Sequence, residues 1–262
     1  MELDELILPA FAELGDLPAE TAPWERAYDF TGTVELDGLI QPLRYTEDGL
    51  GLVPTGVGKS AAATTTTTLL ASDQIDLTDA LVLSVGVAGA PPSIPVGSVL
   101  ISDRIVDWDL KCRFPEEIAT NPYVEQGCYD LNEELVADIE QAGSAVELGE
   151  TAELRRGTNL AGDELWHGDA LAEQADWVAD QYDAAPYCVT EMEDSATAAA
   201  LDRFDRLDSY CAIRGVSNHD RPPEGVSARE SFFGDEFEDG FGEAVENAVA
   251  VARAVVDDRH AD

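Results

Sequence analysis

The sequence predicts a single-domain α/β protein in which helices are layered on a sheet. Three observations lead to this fold class. Residues 80–87 form a continuous apolar run of strand length, as expected for a central strand covered on both faces. Predicted strands alternate with predicted helices along the chain. No repeat and no Gly/Ser-rich linker divides the chain, and residues 1–262 are enough for one large buried core.

The strands are predicted from short apolar or alternating runs that are bounded by turn residues. Two of them are expected to form a hairpin, because the turn pair Asp37-Gly38 lies between them. Residues 209–216 are mainly apolar and indicate a second buried strand. In chain order, the predicted strands are residues 6–9, 31–34, 40–45, 50–54, 80–87, 98–107 and 209–216.

The helices are predicted from apolar residues that recur every three or four positions. In the first helix, alanines and leucines outweigh a threonine run at residues 64–68, which has weak helix propensity. The last helix is long and carries its apolar residues on one face. Residues 108–130, rich in Trp, Pro and Cys, are expected to form an irregular insert. The predicted helices are residues 59–72, 131–142, 170–182, 193–206 and 239–259.

The chain is strongly acidic, with 54 acidic and 15 basic residues and a net charge of -39. A hydrophobic content of 45% excludes a disordered acidic protein. The acids are scattered, so we interpret them as a solvated surface suited to a halophilic cytoplasm, where multimolar salt screens repulsion within ~3 Å or less. A chain of this kind is expected to unfold at low salt. Nucleic acid binding is disfavoured, because it needs clustered Lys and Arg; an acidic face for a basic partner would need clustered acids.

The four cysteines, Cys112, Cys128, Cys188 and Cys211, show no CxxC spacing. The first four residues, MELD, are too acidic for a signal peptide, so reduced thiols and a cytoplasmic location are expected. No apolar run approaches the ~20 residues that a membrane span needs. The three histidines have no metal-ligand spacing, and no metal is expected.

Residues 55–60 (TGVGKS) are similar to a nucleotide-binding P-loop, but the match fails at one position. That motif needs a glycine six positions before the lysine, where this chain has Val53. Without this glycine the loop cannot wrap its N–H groups around a β-phosphate. We interpret the segment as a glycine turn that leads into a helix.

Four segments carry a family resemblance: GVGKSAA at residues 56–62, VGVAGA at 85–90, TEMEDSA at 190–196 and VSNHD at 216–220. Weak singly but specific in combination, they resemble the nucleoside phosphorylase superfamily, most of all its purine nucleoside permease-like branch. The resemblance implies a three-layer α/β/α sandwich with a central mixed sheet. It also implies cleavage of an N-glycosidic bond with phosphate as co-substrate and no other cofactor, and a trimer or hexamer.

The resemblance assigns the ribose to the segment around Met192. In the superfamily the glutamate after this methionine grips the ribose hydroxyls, which gives that role to Glu193 and places Met192 on the sugar face. Glu191 corresponds to a residue near the base or the ribose. A carboxylate there suits the chemistry, because positive charge develops on the ribose as the bond breaks. The structural alternative is that these acids favour the helix dipole, which suits Asp194.

The base is assigned to Asn218, where many relatives carry an aspartate that protonates purine N7. An amide is no general acid, but it can bond both N7 and O6 of a 6-oxopurine. The residue thus favours inosine- or guanosine-like bases, or lost turnover; a strand-end turn is the structural alternative. The resemblance also lays an aromatic on the base, here Trp166 or its neighbour Leu165, unless Trp166 is an ordinary core residue. His167 is expected at the base edge, and Ser217 is expected to orient the loop.

The phosphate site follows the family pattern less closely. Relatives place Arg and Ser around this glycine-rich turn, where this chain has Ser84 and Val87. The turn can still bind an oxyanion through its backbone N–H groups. Val87 and Ala88 are expected to border the nucleoside. An anion beside Gly86 would favour a phosphorylase, whereas a pocket closed by Val87 would favour hydrolysis or binding.

Three further assignments rest on looser correspondence. Arg26 is expected to reach a neighbouring subunit's phosphate site, and Arg229 is expected to support Asn218. Glu13 corresponds to the base that activates water in hydrolase relatives. The resemblance thus implies a purine nucleoside phosphorylase that acts on a 6-oxopurine nucleoside. The alternatives are a nucleoside hydrolase and a nucleoside-binding protein without turnover that is associated with nucleoside uptake.

Overall fold

A computed structural model of the chain describes residues 1–123, 127–232 and 234–260. Its strands are β1 (Glu5–Leu8), β2 (Gly32–Val34), β3 (Leu43–Tyr45), β4 (Leu50–Leu52), β5 (Leu81–Ala90), β6 (Val99–Asp107), β7 (Lys111–Arg113), β8 (Ile118–Thr120), β9 (Cys128–Asp130), β10 (Leu154–Ala161), β11 (Tyr187–Glu191) and β12 (Tyr210–His219). Its helices are α1 (Ala22–Ala27), α2 (Lys59–Leu70), α3 (Glu133–Gly143), α4 (Asp169–Gln181), α5 (Asp194–Arg203), α6 (Ala228–Phe232) and α7 (Asp235–Arg259).

One mixed sheet forms the centre of the molecule, in the strand order β11-β10-β6-β12-β5-β1-β4-β3-β2. The central strands β12, β5, β1 and β4 run parallel to one another, whereas β6 runs antiparallel to β12. The mixed sheet that the family resemblance implied is therefore confirmed. The edge strand β11 also pairs with the central strand β5 through Thr190 and Gly89, so the sheet curls back on itself.

Helices cover both faces of this sheet. Successive residues of a strand point to opposite sides, so neighbouring residues of one strand contact different helix layers. On β12, Arg214 bonds Asp194 of α5, whereas the next residue, Gly215, packs against the backbone of Ala244 in α7. A Cβ on Gly215 would lie 2.1 Å from the carbonyl oxygen of Ala244, so only glycine allows this close approach. α2 packs with α5, and α1 and α3 pack with α7. The three-layer arrangement is confirmed.

Two strands of the sheet escape the sequence prediction. β10 includes Arg155, Arg156 and Asn159 and therefore has no apolar run, and β11 is only five residues long. Both are recognised only by their pairing with neighbours in the sheet. The predicted insert at residues 108–130 contains the β7–β8 hairpin and β9, which pairs with β6. Residues 124–126 of this insert lie outside the described residues.

The amino end of β1 carries a buried ion-pair cluster far from residues 86–89. Glu5 is buried, and its two carboxylate oxygens lie 2.9 Å from Arg259 Nε and 2.8 Å from His260 Nε2. The cluster borders a polar cavity of about 710 Å³. It ties the carboxyl-terminal end of α7 to the first strand of the sheet.

Three further features limit the chemistry of the chain. All four cysteines are free thiols. In the part of the chain that the structure describes, no helix is both long enough and apolar enough to cross a bilayer. Within those same residues, no group of three or more His, Cys, Asp or Glu side chains is arranged to hold a metal ion.

Candidate active site

A cavity of about 520 Å³ lies where β1, β5, β11 and β12 end. Ligands of open α/β sheets bind at this edge, where the connections after the strands meet. Apolar side chains from several loops and helices form one part of the wall, and carboxylates form another. The apolar part includes Phe11, Leu17, Val57, Val87, Trp166, Phe232 and Phe241. The carboxylates are Asp16, Glu20, Glu164, Glu191, Glu193 and Asp220.

Glu193 lies in the wall of this cavity directly before α5, with only 5% of its surface exposed. Its Oε1 atom accepts a hydrogen bond of 2.9 Å from the backbone N–H of Gly58. Gly58 precedes α2 with a φ of +90°, a conformation that favours glycine. The GVGK segment is therefore a glycine turn leading into a helix, as predicted, and it holds the expected ribose-binding carboxylate.

Arg214 organises the carboxylates on this side of the cavity. It is fully buried on β12 and forms two bonds to Asp194, with Nε at 2.8 Å and Nη2 at 2.5 Å from its carboxylate oxygens. The same guanidinium lies 3.0 Å from Glu191 and 3.6 Å from Glu193. One positive charge thus faces three buried carboxylates, a cluster that the sequence analysis did not identify.

Glu191 holds the loop that carries Glu193. Its carboxylate accepts hydrogen bonds from the backbone N–H groups of Glu193, at 2.7 Å, and Asp194, at 3.0 Å. Burial, with repulsion from Asp194, raises the pKa of Glu191 well above its usual value despite the neighbouring Arg214. Burial likewise raises the pKa of Glu193, and the Arg214 guanidinium opposes this shift. Glu191 lines the cavity, but its hydrogen bonds serve mainly to fix the backbone around Glu193.

Glu20 lies beside this cluster in the cavity wall. Its Oε1 accepts a hydrogen bond of 2.9 Å from Val87 N–H and its Oε2 one of 2.6 Å from Ala10 N–H. Gly86 permits this approach, because a Cβ there would lie 2.5 Å from Glu20 Oε1 and 2.8 Å from Arg214 Nη1. Burial raises the pKa of Glu20 to about 7, aided by repulsion from Glu193 and opposed by attraction to Arg214.

Glu13, which the resemblance linked to water activation, does not line the cavity. Glu13 is exposed and is not among the described residues that line the cavity, whereas Glu20, seven positions later, is buried in its wall. The loop after β1 turns back between these two positions, and α1 follows directly with Pro23 in its first turn. In the sequence, Glu20 therefore has the pattern of an acid before a helix start, which is usually a helix-dipole contact.

Asn218 and Ser217 lie at the end of β12 and line the cavity. The amide oxygen of Asn218 accepts a hydrogen bond of 2.9 Å from Ser217 Oγ, and its amide nitrogen donates one of 2.8 Å to the carbonyl of His219. Ser217 Oγ also lies 3.2 Å from the carbonyl oxygen of Ala88. Ser217 therefore orients this loop, as predicted, and the amide of Asn218 is fixed in place beside β5.

Asp220 is a second buried residue of this loop that the sequence analysis missed. It lines the cavity with 1% of its surface exposed. Its carboxylate accepts a hydrogen bond of 2.6 Å from the hydroxyl of Tyr187 and one of 2.6 Å from Arg221 Nε. Asp220 belongs to the VSNHD segment that carries the family resemblance, but the sequence analysis gave it no role, although an acid directly after a buried strand is a usable signal.

The expected aromatic wall consists of Trp166 and Leu165, which both line the cavity. Trp166 is buried and packs on Trp108 with ring centroids 5.6 Å apart, whereas Leu165 is two-thirds exposed. His167 does not face the cavity with them. Its ring lies 5.6 Å from that of Phe232 in an edge-on contact, and burial lowers its pKa. His167 is not among the described residues that line the cavity.

Comparison with known proteins identifies the family of the chain. The family model described as the phosphorylase superfamily matches residues 10–257. The chain belongs to this superfamily. It is 25% identical to a purine nucleoside permease of Candida albicans, over 91% of this chain and 72% of that protein. It is 27% identical to a probable purine nucleoside permease of Schizosaccharomyces pombe, over 70% of this chain and 68% of that protein.

Solved structures of this fold include two kinds of hydrolytic enzyme by name. A 5'-methylthioadenosine/S-adenosylhomocysteine nucleosidase from Colwellia psychrerythraea matches with a TM-score of 0.72 and 19% identity, over 98% of this chain and 95% of that one. The futalosine hydrolase of Helicobacter pylori matches with a TM-score of 0.73 and 18% identity, over 98% of both chains. At this identity the likeness concerns the fold alone.

Ser84 and Arg229, two of the residues assigned to the phosphate site, are not among the described residues that line the cavity, and Arg26 was assigned to the site of a neighbouring subunit. Ser84 is buried and bonds Arg214 Nη2 at 3.0 Å, behind the cavity wall. Arg26 of α1 forms an exposed ion pair with Glu246 of α7. Neither these two residues nor Arg229 of α6 is among the described residues that line the cavity. The expected glycine-rich turn at residues 86–89 is wrong, because these residues belong to β5, and the Val87 N–H group there is already bound by Glu20.

Met192, Val87 and Ala88 were expected to border the nucleoside. All three line the cavity, Met192 beside Glu193 and the other two on β5. The structure therefore brings together the predicted ribose, base and glycine-turn residues in one cavity. It adds Glu20, Arg214 and Asp194 as the charged groups that hold or face the predicted residues.

Proposed function

We propose that this protein hydrolyses the N-glycosidic bond of purine nucleosides, with water as the nucleophile. Membership of the phosphorylase superfamily supports N-glycosidic chemistry. The name nucleosidase or hydrolase on structures of the same fold is consistent with a water nucleophile. The choice of water over phosphate rests on one observation, the position of Glu20.

The carboxylate of Glu20 occupies the position beside residues 86–89 that the sequence analysis gave to an anion. A backbone N–H group such as that of Val87 is what these residues would offer to an oxyanion of phosphate. Here it donates to Glu20 Oε1 at 2.9 Å. Phosphate would have to displace a buried carboxylate and remain beside Glu193, and like charges in a poorly solvated site repel strongly. A water molecule meets no such repulsion.

Glu20 is suited to activate that water. A general base works best when its pKa lies near the working pH, and burial raises the pKa of Glu20 to about 7. Its backbone bonds to Ala10 and Val87 fix the direction of the carboxylate. In the proposed reaction, Glu20 accepts a proton from water as the oxygen attacks the anomeric carbon. The C–N bond breaks, its electron pair passes to the base nitrogen, and the departing base takes up a proton from solvent.

The other residues of the cavity have complementary roles in this proposal. Glu193 accepts hydrogen bonds from the ribose hydroxyls and stabilises the positive charge that develops on the sugar. Met192 packs on the sugar and Trp166 on the base. Asn218 binds the base through the amide N–H and the oxygen lone pair that its contacts to Ser217 and His219 leave free.

Binding without turnover is the second candidate, and Asn218 favours it. A carboxamide has no acidic proton to give to a departing base, so catalysis loses a contribution that is typically 100-fold or more. The curated relatives named above carry the word permease in their names. A nucleoside-binding protein that takes part in uptake would need the same cavity without efficient chemistry.

The test is to incubate the protein with inosine and with guanosine in multimolar KCl, with and without phosphate. Free base, ribose and ribose 1-phosphate are separated by chromatography. Ribose that forms independently of phosphate supports the proposal, and ribose 1-phosphate that needs phosphate overturns it in favour of phosphorolysis. Tight binding without any base release favours the second candidate. Glu20→Gln tests the role of this carboxylate. Glu13→Gln is the matched control, since of the two residues only Glu20 lines the cavity.

A further inference from the structure

Both lysines of the chain lie beside the same tryptophan. The sequence contains only two lysines, Lys59 and Lys111, among 262 residues. Lys59 is the first residue of α2 and Lys111 is the first residue of β7, and both are directed to Trp108 or to the two residues that flank it. With 54 acidic residues in the chain, a lysine finds a carboxylate on almost any surface. Charge pairing alone therefore does not explain why the two lysines share one location.

Lys59 holds the residues on both sides of Trp108. Its Nζ atom lies 3.0 Å from Asp107 Oδ1 and 3.3 Å from Asp109 Oδ2. Burial disfavours the charged ammonium, but attraction to the two carboxylates outweighs this effect and raises the pKa of Lys59 above its usual value. The side chain of Lys59 is only 18% exposed, and partly buried pairs are screened by salt much less than surface pairs. The backbone around Trp108 is thus clamped at two points, even in multimolar salt.

Lys111 holds the same tryptophan directly. Its Nζ atom lies 3.5 Å from the centroid of the Trp108 ring and donates a hydrogen bond of 2.8 Å to the Trp108 carbonyl oxygen. A cation over the face of an indole ring is attracted by the electron density of that face. Burial lowers the pKa of Lys111 to about 8, so its ammonium is still charged at pH 7. One lysine therefore fixes the backbone of Trp108, and the other fixes its ring.

Trp108 supports the aromatic side of the cavity from behind. It is fully buried and packs on Trp166, which does line the cavity, with ring centroids 5.6 Å apart. Gly162 allows the ring to lie this deep, because a Cβ there would be 2.3 Å from Trp108 Nε1. A buried indole N–H usually has a hydrogen-bond partner, but neither of these two has one among the described residues. The position of the pair therefore depends on packing and on the groups that hold Trp108.

We propose that the two lysines are positioning residues that fix Trp108 and thereby hold Trp166 as the stacking surface for the base. This inference rests on the proposed function, in which Trp166 packs on the base. Neither lysine is among the described residues that line the cavity, so both act through the tryptophan pair. A flat ring stacks well only on a surface that is already in place, because ordering a mobile side chain on binding costs free energy.

The ribose side of the cavity does not depend on either lysine side chain. Glu193 accepts its hydrogen bond from the backbone N–H of Gly58. Asp163 likewise accepts a hydrogen bond of 2.7 Å from the backbone N–H of Lys59. Both bonds remain when only the ammonium of Lys59 is removed. Loss of a lysine side chain should therefore weaken the binding of the base and leave the chemistry at the ribose intact.

The experiment measures base binding and turnover separately in Lys59→Met and Lys111→Met. Arg156→Met is the matched control, since Arg156 also joins two carboxylates, those of Asp103 and Glu133, and is not among the described residues that line the cavity. Calorimetric titration with hypoxanthine at pH 7 in multimolar KCl gives the Kd of the free base, and inosine without phosphate gives kcat and KM. We expect Kd and KM to rise on the order of tenfold in both lysine variants, because base–aromatic stacking contributes at least that factor. An unchanged kcat is expected, since uniform binding is what is lost.

A purely structural role of the lysines would give a different result. It would lower the folded fraction, and with it the apparent kcat, without changing Kd or KM, and this outcome would overturn the inference. A rise of the same size in Arg156→Met would also overturn it. If Lys59→Met does not fold, Lys111→Met alone decides, because its lysine lies in the short strand β7 outside the central sheet. The hypoxanthine titration remains valid if inosine is not hydrolysed, so failure of the proposed hydrolysis is distinguished from failure of this inference.

Discussion

One ion-pair cluster lies near each end of β1. Basic groups outnumber carboxylates in the first cluster, and carboxylates outnumber basic groups in the second. At the amino end, Glu5 is one buried carboxylate between two basic groups, Arg259 and His260. Beyond the carboxyl end, Arg214 is one buried guanidinium among Glu191, Glu193 and Asp194, and Glu20 stands close by.

The difference separates a structural cluster from a functional one. A buried charge is tolerated when it is paired and hydrogen-bonded, and Glu5 meets this condition with its own partners. The cluster at the cavity leaves carboxylates in excess, which destabilises the folded state unless some take up protons or a ligand supplies positive charge. Clusters with such perturbed carboxylates are typical of active sites.

Removing the central cation should have the largest effect. In Arg214→Gln, three buried carboxylates lose their only common partner, and breaking a buried pair typically costs about 3–5 kcal/mol. We expect a large fall in the free energy of unfolding at pH 8, measured by chemical denaturation in multimolar KCl, and a partial recovery near pH 5. Arg259→Gln is the matched control. Its guanidinium is nearly half exposed and His260 remains beside Glu5, so a smaller loss than in Arg214→Gln is expected. Equal losses in the two variants would contradict the comparison.

Removing the charge of Glu20 should abolish turnover without unfolding the protein. Glu20→Gln cannot accept the proton of water, and loss of a general base typically costs about 100-fold to 10,000-fold in rate. In the unaltered protein, kcat/KM should rise with pH until the carboxylate is ionised, with a midpoint near its pKa of about 7. A variant that keeps its rate, or a profile that falls across this range, would remove Glu20 from the chemistry.

The same substitution should change how stability depends on pH. The pKa of Glu20 is raised from 4.5 in the unfolded chain to about 7 in the fold, so the unfolded state loses its proton first. Its contribution to the free energy of unfolding therefore falls as the pH rises from about 4.5 to about 7. Each pKa unit corresponds to about 1.4 kcal/mol, so Glu20→Gln should be more stable than the unaltered protein by up to a few kcal/mol at pH 8. Denaturation curves at pH 5 and pH 8 provide the measurement.

Glu193→Gln should weaken nucleoside binding with a smaller effect on the fold. The amide oxygen can still accept the Gly58 N–H bond, but the charge that holds the ribose hydroxyls is lost. We expect kcat/KM to fall about 100-fold, with a change in the free energy of unfolding of about 1 kcal/mol, the value of an ordinary hydrogen bond. Calorimetric titration of a nucleoside measures the binding part. Unchanged affinity would exclude Glu193 from the ribose site.

Arg26→Ala should have the smallest effect of these variants. Its ion pair with Glu246 is exposed on both sides, and such pairs contribute about 0–1 kcal/mol. We expect unchanged hydrolysis rates, because no phosphate has to be bound. A large loss of activity in Arg26→Ala would revive the expectation that this arginine serves the site of a neighbouring subunit.

The residues that the sequence predicts well are those whose local spacing determines their place. The TEMEDSA segment puts Met192 and Glu193 at a helix start, and the GVGK turn puts Gly58 beneath them. Most helices and strands are also where their apolar runs predict. β10 and β11 are the exceptions, since their pairing partners rather than their own residues make them strands.

The missed residues are those placed by contacts between distant segments. Glu20 reaches Val87 only because the loop after β1 folds back over β5. Arg214 did leave a signal, because a charged residue inside the apolar strand CAIRGVS has to find buried carboxylates. Reading that arginine together with the TEMEDSA acids predicts the ion-pair cluster without any structure.

The short pairing between β11 and β5 determines when this site can exist during folding. Thr190 and Gly89 are far apart in the sequence but pair in the sheet. Their near neighbours Glu191 and Val87 both line the cavity. Contacts between segments so far apart form late, since closing the intervening loop costs entropy before any contact is gained. Until β11 and β5 have paired, the cavity is incomplete, so a ligand bound in it would report that the sheet has closed.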